Sequence, residues 1–225
     1  QLAHGGRQCP KKVIGKAPLA PSGFGRDPAS MNKPAAMTEA DIQEVIASFV
    51  TAAKRAFDAG ADAIQLHCAH GYLLNEFLSP FFNRRHDQWG GSPENNFRLL
   101  REIILAIQKT VGKDRVIMVK MNTDDFTPQK GITPDLAAQY AAWLADLGVA
   151  ALELSGGTYY TFHAVRGDVP IDDLARALSW WMRPMAKMIF KKQVFPCRFQ
   201  KLYHLPAAEI IKPVIGNMQL ILVGG

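Results

Sequence analysis

The chain contains no run of about eighteen consecutive apolar residues, the minimum for a helix that crosses a bilayer. Nor does a basic stretch followed by an apolar one open it, so no secretion signal is legible and contact with a membrane is not expected. Cysteine is scarce: Cys9, Cys68 and Cys197 are the three present, odd in number and far apart, with no Cys-x-x-Cys pair. That excludes a disulfide framework, offers neither a zinc ribbon nor a redox dithiol, and fits a reducing, cytoplasmic setting. A Gly-x-Gly-x-x-Gly segment after a strand is also missing, which removes the main mark of a dinucleotide-binding doubly wound sheet. Charge is modest at 20% of residues and leans basic, 26 Lys and Arg against 20 Asp and Glu. Only Lys187, Lys191, Lys192, Arg198 and Lys201 cluster, and no nucleic-acid module accompanies them, so nucleic acid is not an expected partner.

What is present is a strict alternation. With 225 residues, 48% of them apolar, the chain can bury one sizeable core, and a single domain over 1–225 is the expectation. A helix starts at Thr38, where a hydroxyl cap is followed three residues on by Asp41, and Ile42, Ile46, Phe49, Ala53 and Phe57 mark its apolar face as far as Gly60. The same grammar recurs at Ser92-Pro93, closing at Gly112, and at Thr133-Pro134, closing at Gly148. Short β-type runs lie between: Ala63 to Leu66, Val116 to Val119, Ala151 to Leu154 and Leu220 to Val223. Residues 58–67 and 146–155 repeat one pattern of helix end, glycine and strand, which aligns Gln65 with Glu153 and His67 with Ser155. Alternation of this kind requires a parallel sheet. Polar residues gather where strands end, at His67, Lys120 and Ser155, with Gln1 at the start of a clipped strand. In a (β/α)8 barrel those ends share the face where chemistry is done. The segment at about 159–205, rich in Trp and Met and interrupted by Pro184 and Pro196, reads as a partly helical, irregular insertion near the mouth of the site. Gln1 at one end and Gly224-Gly225 at the other give both termini the look of cut ends.

The most specific feature is the unbroken stretch His67-Cys68-Ala69-His70-Gly71-Tyr72-Leu73-Leu74-Asn75-Glu76-Phe77-Leu78-Ser79-Pro80, continued by Asn83-Arg84-Arg85-His86-Asp87-Gln88-Trp89-Gly90-Gly91-Ser92-Pro93-Glu94-Asn95. It resembles the substrate-site segment of the old yellow enzyme family of FMN-dependent oxidoreductases. The resemblance implies a TIM-type (β/α)8 barrel, here incomplete, with strands three to seven recognisable. It implies FMN as cofactor, NAD(P)H as reductant and an activated alkene as small-molecule substrate. It assigns His67 and His70 to the substrate carbonyl and Tyr72 to proton delivery. Gln1, in Gln1-Leu2-Ala3-His4-Gly5-Gly6-Arg7, would meet the pyrimidine edge of the flavin. Lys120, where many relatives place arginine, would sit against its N1 and O2, and Gly224 and Gly225 would let backbone amides reach the phosphate. The chemistry asks for such residue types: paired donors withdraw electrons from an enone as charge develops on its oxygen, and a phenol can protonate the carbon beside the carbonyl. A basic surface suits such anionic cofactors as a weak steering field.

Other readings of these residues are weaker. His67-x-x-His70 has no third ligand in a helical context, so no metal is expected. Cys68 beside His67 points to the other side of the strand and is expected as a buried, inert thiol. Asn96 stands where relatives usually carry arginine, and 162–200 follows no family pattern. Five strands cannot close an eight-stranded barrel, so the expectation is either a fragment of a longer chain, or a second copy, a partner chain or a rearrangement that covers the open edges. The leading expectation is an NAD(P)H:FMN oxidoreductase of ene-reductase type. The alternative is a flavin-free descendant that binds, or that isomerises or cyclises, in the old pocket.

Overall fold

The computed structural model describes residues 1–23, 25, 32–127, 129–158, 171–176, 178–194 and 201–223, with 189–194 as backbone alone. In chain order, a 3-10 turn at Gly6–Gln8 precedes α1 (Lys11–Ile14), and the short strands β1 (Leu19–Ala20) and β2 (Ala35–Ala36) pair with each other. Then come α2 (Glu39–Asp58), β3 (Ala63–Cys68), α3 (Leu73–Leu78), α4 (Pro93–Val111), β4 (Val116–Asn122), α5 (Pro134–Asp146) and β5 (Ala151–Ser155). The chain continues through α6 (Ile171–Arg176), α7 (Arg183–Val194), α8 (Leu205–Ile211) and β6 (Gln219–Leu222).

Each long helix begins where a side chain takes over an unpaired backbone N–H. Thr38 Oγ1 accepts from the Asp41 N–H while the Asp41 carboxylate accepts from Thr38 N at 2.8 Å, a reciprocal capping box that opens α2. Ser92 and Thr133 cap α4 and α5 by accepting from the Asn95 and Leu136 N–H, without the reciprocal bond, and each is followed by proline in the first turn. Gly60 and Gly148, the paired glycines of the internal repeat, both take positive φ, 89° and 75°, where the chain leaves a helix for a strand. Hence the two repeat units are two copies of one helix-to-strand joint.

The strands β3, β4, β5 and β6 lie parallel in chain order, and Leu2 adds a parallel bridge to Leu66 on the outer side of β3. Chain order without reversal is the pattern of a barrel wall; a doubly wound sheet reverses at a switch point. Strand alternation sends Ile64, Leu66 and Cys68, then Ile117, Val119 and Met121, then Leu152 and Leu154 toward the helices, where they are buried. There they join Phe49 and Phe57 of α2, Leu99 and Ile103 of α4, and Tyr140 and Leu144 of α5 in one core. The opposite face carries Gln65, His67, Lys120, Asn122, Glu153 and Ser155, in rows set by the register His67↔Lys120↔Glu153 and Asn122↔Ser155.

Some expectations shift. The first recognisable strand reduces to a bridge, Leu2 N donating to Gln65 O at 2.8 Å and His67 N to Leu2 O at 2.9 Å, because the backbone turns into the Gly6–Gln8 helix directly afterwards. The last strand runs 219–222, one residue earlier than its apolar run. Within the expected insertion, 159–170, 177 and 195–200, Pro196 included, lie outside the described residues. Pro184 opens α7 and does not interrupt a helix, since a first-turn proline leaves no internal hydrogen bond unmade. By contrast α8 belongs to the wall: Ala208 and Ile211 enter the same core.

Candidate active site

At the C-terminal end of β3 the chain reverses sharply. His70 and Gly71 both adopt left-handed backbone, φ 62° and 73°. For a non-glycine residue that costs on the order of 1 kcal/mol or more and persists only where the surroundings hold it. Here they do: His70 N donates to Asn122 Oδ1 at 3.2 Å, Gly71 N to Asn75 Oδ1 at 2.7 Å, and Gln8 Nε2 to the His70 carbonyl at 2.9 Å. The reversal brings the His70 ring to 5.0 Å from the His67 ring, centroid to centroid, and places Tyr72 at the N-terminus of α3, its ring also 5.0 Å from His67. His70 Nε2 lies 2.7 Å from Ser155 Oγ at the end of β5. The three catalytic candidates therefore stand together.

Lys120, opposite His67 in the register, bonds to Glu153 at 2.8 Å. The other Glu153 oxygen accepts from Gln65 Nε2 at 2.7 Å, and Gln65 Oε1 accepts from Gln1 Nε2 at 2.5 Å. Gln1 and Lys120 are thus the two ends of one polar chain across the face that carries His67. Gly224 and Gly225 lie outside the described residues.

The electrostatics follow from burial. His67, 5% exposed, has its pKa lowered to about 4, first by burial and then by the positive charges of His70 and Lys120. Burial lowers His70 as well, with Lys120 adding to the effect. Both rings are neutral near pH 7, so each keeps one N–H to donate and one nitrogen to accept. Burial works against ionisation of Glu153, but its bonds from Lys120 and Gln65 outweigh that and hold its pKa below the usual value. His67 Nδ1 is buried with no hydrogen-bond partner among the described residues, an imidazole nitrogen left for something else to satisfy. Cys68 is fully buried and burial pushes its thiol up, as an inert core residue requires. Among the described residues, no three His, Cys, Asp or Glu side chains are grouped to hold a metal ion.

Sequence reasoning missed several participants. Glu153 was legible in the repeat that aligns it with Gln65, since side chains at matching positions of parallel strands face the same way. Asn75 stands inside the His67–Pro80 stretch without an assigned role, and no role was assigned to Asn122 or Asp125 either. His204 reaches the site from the turn before α8: it is buried, its Nδ1 lies 3.2 Å from Thr123 Oγ1, and burial, with His70 nearby, lowers its pKa to about 4.

A parallel wall with its polar side chains at the C-terminal strand ends is the architecture of the barrel enzymes. The profile of the NADH:flavin oxidoreductase / NADH oxidase family matches residues 1–171. NADPH dehydrogenase from Bacillus cytotoxicus is 41% identical over 163 residues, 72% of this chain and 45% of that protein. NADPH dehydrogenase from a Geobacillus species is 43% identical over 157 residues, 70% and 44% respectively. Among solved structures, morphinone reductase in complex with tetrahydroNAD superposes with a TM-score of 0.58 at 29% identity, over 67% of this chain and 46% of that one. The old yellow enzyme homologue from Zymomonas mobilis gives 0.58 at 24% identity, over 93% and 65%, a likeness of fold. The chain belongs to the NADH:flavin oxidoreductase / NADH oxidase family, whose cofactors are FMN and NAD(P)H. Its fold is an incomplete barrel of the TIM type, and it spans about 45% of the length of the curated relatives it matches.

Proposed function

We propose that this chain supplies the substrate-facing part of an NAD(P)H:FMN oxidoreductase that reduces an activated alkene, an α,β-unsaturated carbonyl compound. The observation that carries the reading is the convergence of His67, His70 and Tyr72 within ring-contact distance at the end of β3, with Lys120 beside them in the register. FMN, when bound, supplies the hydride transfer. The face fits a flavin: a buried imidazole nitrogen lacks a partner among the described residues, and a cation and two amide side chains line the same rows. Gln1 and Lys120 would hold the group, with Gly224 and Gly225 as candidates for its phosphate.

The protein's own residues then have distinct tasks. Neutral imidazoles at His67 and His70 can each direct an N–H at a substrate oxygen without the solvation cost of a buried imidazolium. Their donation draws charge onto that oxygen and leaves the distal alkene carbon electron-poor. Tyr72, half-buried and against His67, delivers a proton to the carbon beside the carbonyl from its hydroxyl. Lys120 opposes negative charge nearby, with Glu153 fixing its direction. In this reading residues 1–225 act as one partial barrel domain.

The test is Y72F, which keeps the ring and removes the proton. NADPH should still reduce the flavin at an unchanged rate in stopped flow, while oxidation by cyclohex-2-enone slows by about a hundredfold or more. Equal losses in both half-reactions, or none, would overturn the assignment of Tyr72. A colourless protein that takes up no FMN would favour the flavin-free reading.

A further inference from the structure

Asp125 is completely buried and belongs to none of the motifs above, yet both amide side chains that donate to it lead on to the active-site turn. Its Oδ1 accepts from Asn122 Nδ2 at 2.8 Å and from Asn75 Nδ2 at 3.1 Å, and its Oδ2 accepts from Ile132 N at 2.9 Å. The far ends of the same two amides are the acceptors for the turn: Asn122 Oδ1 takes the His70 N–H and Asn75 Oδ1 takes the Gly71 N–H. Asn122 Nδ2 also donates to the Gly157 carbonyl at 2.7 Å.

An asparagine amide can be turned over with little change of shape, so its orientation must be set by its neighbours. A carboxylate that only accepts sets it in one way. Both Nδ2 groups must face Asp125, and both Oδ1 atoms must then face His70 and Gly71. We propose that Asp125 is a positioning residue for the reaction: through Asn75 and Asn122 it fixes the left-handed His70–Gly71 turn and so the direction in which the His70 imidazole is presented. This rests on the oxidoreductase reading above for its functional consequence, though not for its geometry.

The alternative, a carboxylate kept only to close the loop between β4 and α5, accounts for the bond from Ile132. It does not account for two asparagines from different elements, one from α3 and one from β4, meeting on a single oxygen. Burial raises the Asp125 carboxyl above its usual range, outweighing the bonds from Asn122, Ile132, Ser79 and Asn75, which lower it. An acidic side chain with no exposure is tolerated only where such donors converge.

The experiment is D125N in the full chain. The substitution keeps size but replaces one acceptor oxygen with a donor, so either Ile132 N or the two asparagine amides meet N–H against N–H. Hydrogen exchange at the His70 and Gly71 amides should accelerate by about tenfold or more relative to the helix interiors. The ring ¹⁵N shifts of His70 should move, and kcat with cyclohex-2-enone should fall more than KM changes. The exchange D125N/N75D, which relocates the acceptor within the pair, should recover part of the lost amide protection. If D125N does not fold, N75L removes the Gly71 acceptor together with one of the two amide donors to Asp125, and should expose the Gly71 amide more than that of His70. Unchanged His70 and Gly71 exchange and unchanged His70 shifts in a folded variant would overturn the proposal. Altered exchange and shifts in a protein that shows no alkene reduction even as wild type would leave the clamp standing and overturn the enzymatic reading instead.

Discussion

Acid should destabilise this protein as pH falls below about 6.5, and two histidines dominate the effect. His67 and His204 are 5% and 3% exposed in the fold, and each has a pKa lowered from 6.5 to about 4. Because the folded value lies below the unfolded one, the unfolded chain binds more protons between those limits. Stability is therefore fully present above about pH 6.5 and falls as pH drops toward 4, the sign required by linkage. At about 1.36 kcal/mol per unit, a displacement of this size has a ceiling of about 3 kcal/mol per ring, of which about 2 kcal/mol are lost by about pH 5. Repulsion from His70 enters both shifts, so their contributions are not independent. A single replacement should recover about 1–2 kcal/mol. The assay is urea unfolding of the wild type and H204Q at about pH 8 and about pH 5, reading the change in unfolding free energy between the two. H204Q should lose about 1–2 kcal/mol less than the wild type over that interval. Parallel losses would mean that His204 is not held neutral by the fold, and the reasoning from burial to charge state would fail with it.

Two further outcomes follow from the geometry. K120M removes the cation from its bond with Glu153, so FMN affinity by fluorescence titration should fall by about tenfold or more, and E153Q, which leaves the cation in place, should fall less. L66A empties a fully buried position on the helix-facing side of β3 and should cost about 2–5 kcal/mol in urea unfolding, with the site rows on the opposite face keeping their register.

Local rules made most of the wall legible. Thr38, Ser92 and Thr133 announced helix starts, Gly60 and Gly148 announced the joints, and apolar runs of four residues marked the strands because parallel strands covered by helices read as continuous hydrophobic stretches. The strands proved longer at their C-terminal ends, through Cys68, Asn122 and Ser155, because the residues there are polar and interrupt the apolar run while the ladder continues. That interruption was also the clue to the site. His67, His70 and Tyr72 were readable as a motif. The Lys120–Glu153 pair, the Asp125 clamp and His204 were not, because each joins residues from different strands or from turns far apart in the chain, and pairing across strands depends on register, which no single segment encodes. Pro184 misled in a simpler way: proline breaks a helix it sits inside and starts one it sits in front of, and sequence alone does not say which turn it occupies.

The most direct test is to titrate FMN into the purified, flavin-stripped protein and follow the isoalloxazine absorption and fluorescence. Stoichiometric, saturable uptake that is weakened by K120M and spared by a surface substitution such as K54A is the predicted result. Free flavin spectra at every protein concentration would contradict the idea that these strand ends assemble around an isoalloxazine ring.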